Sequence, residues 1–222
     1  MLDFDQSLRL NPKSADALYA RGTLRCKLKD YLGSLQDLDN SILLNPLSAA
    51  AFHNRGSTHA RCGNLTETMN DYMEAIRLDP KFVDAYVGLG IERHKLLDFS
   101  GALCEFDHAL ILEPDHVNAR VSKALLLAVV DDNALFDAKQ AKELAETALQ
   151  LQPENVYALN AQACALAALG EFAAAIELET RAMLDKDWVQ DQDIDGGACS
   201  RERIAVWETG ALWRPILDKR VK

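Results

Sequence analysis

Carboxylates, imidazoles and cations at regular spacing are the groups through which this chain could do chemistry. Asp191, Asp193, Asp195, Gly196 and Glu202 follow the D-x-D-x-D-G-x5-E order of a calcium loop. In such a loop alternating carboxylates converge on one cation, glycine permits the sharp turn and the last glutamate chelates from the next helix. Loops of this kind work in pairs, however, and Ala198 stands where a β-branched residue would tie two of them together. The string therefore reads as an acidic linker into a final helix, RERIAVW, and no metal or other cofactor is expected. The histidines (His53, His59, His94, His108, His116) form no HExxH pair, and no P-loop, GxGxxG or GxSxG string occurs. With no constellation that would activate a nucleophile or a water, the chain is not expected to be an enzyme.

A ladder of cations remains: Lys27, Arg61 and Lys95 recur every 34 residues. A row of one sign can orient an acidic segment, so the elements that hold it in register are the next concern. The same interval governs the prolines. Pro12, Pro46, Pro80 and Pro114 are each 34 residues apart and Pro153 follows 39 later, closing the phrases SLRLNP, SILLNP, AIRLDP, ALILEP and ALQLQP. Apolar residues at helical spacing end each time at a residue that cannot continue a helix, so every unit ends one helix and starts another.

Three columns of small residues keep this register. They are Gly22, Gly56, Gly90, Ala124, Ala163; then Ser34, Thr68, Ala102, Ala141, Ala175; then Ser7, Ser41, Ala75, Ala109, Ala148, Ala182. Large residues fill two others: Phe4, Leu38, Tyr72, Phe106, and Tyr31, Leu65, Phe99, Phe172. Alternating small and large columns let stacked helical hairpins interlock. His59 and Arg93 share a packing column and read as partly buried structural residues.

This pattern resembles the tetratricopeptide repeat (TPR) family, whose 34-residue unit is an antiparallel helix pair. The resemblance covers residues 1 to 187 and implies an all-α, right-handed superhelical solenoid. It also implies a half repeat and then five hairpins, about 13–46, 47–80, 81–114, 115–153 and 154–187. Residues 188–222, which carry Trp188, Trp207 and Trp213, read as a capping helix and tail covering the last hairpin. The fifth unit carries extra residues near VVDDNALFDAK, expected to lengthen its internal turn. Phe4 already occupies a mid-helix column, so the natural chain is expected to continue upstream of Met1.

The resemblance implies that the first helix of each hairpin lines a concave peptide-binding groove. Its residues would be Tyr19, Thr23, Lys27, His53, Asn54, Arg61, His94 and Lys95, giving way to Val121, Leu125, Val129 and Cys164. The expected role is a protein–protein interaction scaffold holding a peptide or protein segment, with acidic residues toward the basic end. The alternative is a docking or regulatory domain of a larger enzyme whose catalytic part lies upstream. Some relatives clamp a chaperone's terminal carboxylate with two Lys, two Asn and an Arg. Here Asn54 matches one clamp column, while Tyr19, Thr23, Asp84 and Gly88 occupy the other four, which disfavours that ligand.

Composition supports the same reading. Of 222 residues 49% are hydrophobic and 26% charged, which suits an ordered helical chain. A net charge of −10 argues against nucleic acid as a partner. No apolar stretch is long enough to cross a membrane, and no membrane partner is expected. Cys26, Cys62, Cys104, Cys164 and Cys199 are scattered without a CxxC pair, and read as reduced, mostly buried thiols of a cytoplasmic protein.

Overall fold

Short capped turns decide where each helix of this chain begins and ends. The computed structural model describes residues 2–184 and 200–212, and among them every regular element is a helix. The N-terminal compact unit, residues 1–92, opens with α1 (Leu2–Leu10). It continues with the hairpins α2 (Ala15–Lys27) with α3 (Tyr31–Leu44) and α4 (Ala49–Arg61) with α5 (Leu65–Leu78), and it ends within α6 (Val83–Lys95). The C-terminal unit, residues 93–222, holds the end of α6 and then α7 (Phe99–Leu112), α8 (Val117–Val129), α9 (Ala138–Leu151), α10 (Val156–Ala168), α11 (Phe172–Ala182) and α12 (Ser200–Glu208). Consecutive helices pack as pairs, α2 on α3, α4 on α5, α8 on α9 and α10 on α11, as in a TPR solenoid. The string Asp191, Asp193, Asp195 and Gly196, together with Trp188, Trp213 and the 187/188 boundary, lies outside the described residues.

Side chains close the open helix starts. Ser14 and Ser48 accept from the amides of Ala17 and Ala51 at 3.3 Å each, and Asp30 and Asp98 accept from those of Gly33 and Gly101 at 3.0 Å. At the opposite ends of α2, α4, α6 and α10 the chain turns through a left-handed residue. Gly63 (φ 77°) and Gly170 (φ 82°) adopt it without a Cβ penalty, but the corresponding residues of the other turns are Lys29 (φ 64°) and Leu97 (φ 63°). A left-handed L-residue costs about 1–2 kcal/mol, offset in part by the larger entropy that glycine loses on folding. Lys29→Gly and Leu97→Gly are each expected to raise the unfolding free energy by about 0.5–1 kcal/mol, read from urea melts. A loss of stability in either variant would mean that the side chain contributes more than its backbone costs.

The small columns are where helices meet. Ser34, Thr68, Ala102, Ala141 and Ala175 are all fully buried. A Cβ on Gly22 would lie 2.9 Å from Leu38 Cγ, and one on Gly56 would lie 3.0 Å from the Tyr72 ring. The third column is buried from Ser41 onward, while Ser7 on α1 is exposed. Two polar members of these columns bond across helices: Ser34 Oγ meets Thr58 Oγ1 at 3.1 Å, and Ser41 Oγ donates to the Ala15 carbonyl at 2.9 Å. The core of the C-terminal unit is built mainly of alanine, including Ala124, Ala141, Ala145, Ala163 and Ala175. Residues 130–137 form the longer connection of the fifth unit, held by Phe136 N–H donating to the Asp132 carbonyl at 2.8 Å and Asp137 N–H donating to that of Leu127 at 3.1 Å.

The cysteines depart from expectation. Cys164 is buried and Cys26 half-buried, but Cys62 and Cys104 are exposed. Cys62 follows α4 directly at its turn and Cys104 lies on the outer side of α7, where no neighbouring helix covers a small apolar side chain.

Candidate peptide-binding surface

The N-terminal unit brings the upstream candidates together on the side-by-side first helices α2 and α4. Thr23 Oγ1 donates to the Tyr19 carbonyl at 2.8 Å and accepts from Asn54 Nδ2 at 2.9 Å. Asn54 Oδ1 lies 3.2 Å from His53 Nδ1. An amide oxygen can only accept, so this contact places the proton on Nδ1. The imidazole packs at 5.5 Å from the Tyr72 ring and edge-on to Phe82 at 5.1 Å. Burial lowers the His53 pKa, only partly opposed by the bond to Asn54 and the charge of Asp84, so the ring is neutral near pH 7. Burial also pushes the Tyr72 phenol up to about 12, and its hydroxyl lies 3.2 Å from Ser57 Oγ. The result is a neutral, hydrogen-bonded row whose polar atoms are fixed before any ligand arrives.

Lys27 and Arg61 flank this row at the ends of α2 and α4, and both are exposed. Among the described residues no ion pair joins either of them to a carboxylate. Most other arginines of the unit are engaged. Arg21 is bound to Asp37 and Asp5, Arg25 to Asp37 and Asp30, Arg55 to Asp71 and Asp39, and Arg77 to Glu74.

The C-terminal unit carries the remaining candidates in a different setting. His94 is half-buried, 5.7 Å from the Phe99 ring, and its pKa is lowered by burial and then by neighbouring Lys95, which is itself exposed. Val121 is 4% exposed and belongs to the core, so its expected place on an open groove is corrected: it packs among Ala124 and its neighbours. Leu125 and Val129 are half-buried against the same core and keep some surface, whereas Cys164 is buried within it. Arg93 behaves as the structural residue its column implies, bonded to Asp98 at 3.0 Å and Glu105 at 3.2 Å. His59 Nδ1 meets Asn64 Nδ2 at 3.2 Å in the matching place.

The sequence reading overlooked a set of ionic staples between helices. Arg21 and Arg55 each reach sixteen residues back and sixteen forward, to Asp5 and Asp37 and to Asp39 and Asp71. In the C-terminal unit Lys123 holds Asp107 at 2.6 Å in the same manner. The signal was present, because Arg21, Arg55 and Lys123 share one column of the 34-residue register, interrupted only at Leu89. Among the described residues no group of three His, Cys, Asp or Glu side chains is placed to hold a metal, and no helix is long and apolar enough to cross a membrane.

Comparison with known proteins agrees with this architecture. Family profiles described as tetratricopeptide repeat match residues 49–82 and 137–188. No curated protein sequence matches significantly. Among solved structures, a thermophilic TPR protein of Thermus thermophilus is 16% identical, aligns over 88% of this chain and 100% of its own, and has a TM-score of 0.68. Yeast Tom70 is 21% identical over 93% of this chain and 42% of its own, with a TM-score of 0.67. YrrB, described as a TPR protein with an unusual peptide-binding site, is 18% identical over 86% and 94%, with a TM-score of 0.57. Such identities speak for the fold alone. With the 34-residue columns, the consecutive helix pairs and the two profile matches in agreement, this chain belongs to the tetratricopeptide repeat family.

Proposed function

We infer that this chain is a protein-interaction module that holds an extended peptide or protein segment along the first helices of its hairpins, with acidic residues of that segment set against the N-terminal unit. Residues 1–187 are assigned to the repeat array and 188–222 to the segment that covers its end. The observation that carries the reading is the contrast among cations. Arg21, Arg25 and Arg55 are consumed by carboxylates of the fold, whereas Lys27 and Arg61 stand exposed beside the fixed row of Tyr19, Thr23, Asn54 and His53. Exposed charges contribute little to folding, roughly 0–1 kcal/mol per pair, but they steer and orient a ligand of opposite sign.

Reversing both charges, Lys27→Glu with Arg61→Glu, tests this on the full chain with a library of labelled acidic peptides as the probe. Affinity for the peptides that bind the natural chain is expected to fall at least tenfold. Binding should also weaken as salt is raised, since such charges are screened over about 10 Å at 0.1 M. Helical circular dichroism and the melting temperature should stay nearly constant. Unchanged affinity in the reversed chain would remove α2 and α4 as the binding surface.

A further inference from the structure

The register assigns one residue an unexpected place. Glu179 on α11 occupies the column of Leu38, Tyr72, Phe106 and Ala145, the large or apolar residues packed inside the stack. Tyr72 shows what that column does in the N-terminal unit. Its ring lies against α6, close enough that a Cβ on Gly88 would sit 2.7 Å from Tyr72 Cζ. The column therefore faces the first helix of the following hairpin. After α11 that place is taken by α12, and the residue facing it is a carboxylate with 0% exposure.

This carboxylate is prepared by the hairpin itself. Asn160 on α10, in the register position of His53, donates from Nδ2 to Glu179 Oε2 at 2.9 Å. That leaves Oε1 to accept from Arg203 of α12, whose guanidinium is nearly as buried and also donates to Ser200 Oγ at 3.3 Å. Cys164 beneath the pair has its pKa pushed up to about 12 by burial, so it adds no charge at neutral pH. One turn along α12, Trp207 inserts its ring into the alanine core at 2% exposure. Its indole N–H is buried with no acceptor among the described residues.

The apolar core of the unit is built mainly of alanine and leucine, whereas this face is closed by an ion pair buried on both sides, which contributes selectivity more than stability because both charges are desolvated. An acceptor held ready by Asn160, together with a buried indole N–H that meets no acceptor among the described residues, marks a receptor whose present occupant fits imperfectly. We propose that the end face of α10 and α11 is a binding site for a partner helix carrying an arginine and a tryptophan four residues apart, and that α12 is its built-in, displaceable occupant. Residues 183–199 separate α12 from α11 in sequence, so α12 competes as a tethered ligand at high local concentration. A partner must match its charge and ring spacing to take its place.

The test uses the full chain carrying Arg203→Ala and Trp207→Ala, which removes both anchors of α12. The probe is a fluorescein-labelled synthetic peptide with the natural sequence of residues 200–212, followed by anisotropy. The peptide is expected to bind this variant at least tenfold more tightly than the natural chain, where α12 holds the face. Adding Glu179→Gln to the variant should weaken the peptide at least tenfold again. Equal binding to both chains, indifference to Glu179, or no binding to a variant that retains its helical circular dichroism would overturn the proposal. If the variant loses that helicity, amide exchange on the natural chain decides. Amides of α12 exchanging at least tenfold faster than those of α10 and α11 support displacement, and equal protection rejects it.

Discussion

Replacing Asp37 by alanine is expected to lower the unfolding free energy of the N-terminal unit by about 3 kcal/mol, whereas Asp39→Ala should cost less than about 1 kcal/mol. The two aspartates are two residues apart on α3 and both face an arginine, so the difference isolates burial. Asp37 is 3% exposed and accepts three bonds: Arg21 Nη2 at 2.7 Å, Arg21 Nε at 2.8 Å and Arg25 Nη1 at 2.9 Å. Without it two half-buried guanidiniums face each other with no charge between them. Each can still reach some water, and that places the cost at the lower end for a broken buried pair. Asp39 is largely exposed and meets only Arg55, which retains its two bonds to Asp71. Urea unfolding followed by helical circular dichroism provides the measurement. Equal losses in the two variants would show that the arginines are solvated and that the staple is not buried in solution.

These staples also show what the sequence conceals. The prolines and small columns were legible because each reports a constraint within one helix or at one crossing: Pro46 stops a helix, and Gly22 admits Leu38. The Arg21–Asp37 pair joins residues sixteen apart, across a turn whose geometry must be known before the two can be matched. The same holds for the candidate surface. Its positions on α2 and α4 followed from the register, but the Thr23–Asn54 bond depends on how closely those helices approach. Val121 shares the column of Tyr19 and His53, yet alanine packing in the C-terminal unit draws it into the core. Glu179 was hidden for a related reason. The register puts it in the column of Leu38, Tyr72 and Phe106, but a charge there has no visible partner until Arg203, from a separate helix outside the register, is seen to cover it.

Trp207→Ala is expected to cost about 3–5 kcal/mol, the most of any single truncation in the C-terminal unit, while Trp207→Phe should cost less than about 1 kcal/mol. Truncation to alanine empties the space that the ring fills in a core built mainly of alanine, whose small side chains cannot collapse into it. Phenylalanine keeps most of the ring. It also deletes an indole N–H that is buried without an acceptor among the described residues, and such a group carries a desolvation penalty of about 1–3 kcal/mol. The lost contacts and the removed penalty then nearly cancel. Urea melts of the two variants measure both effects, and the ratio is more telling than either value. Should phenylalanine prove as costly as alanine, the indole N–H must find a partner in solution, and α12 would be a fixed cap whose fit is complete. A near-neutral phenylalanine beside a severe alanine places the strength of the α12 contact in ring volume and in the Glu179–Arg203 pair, two features that another helix can reproduce.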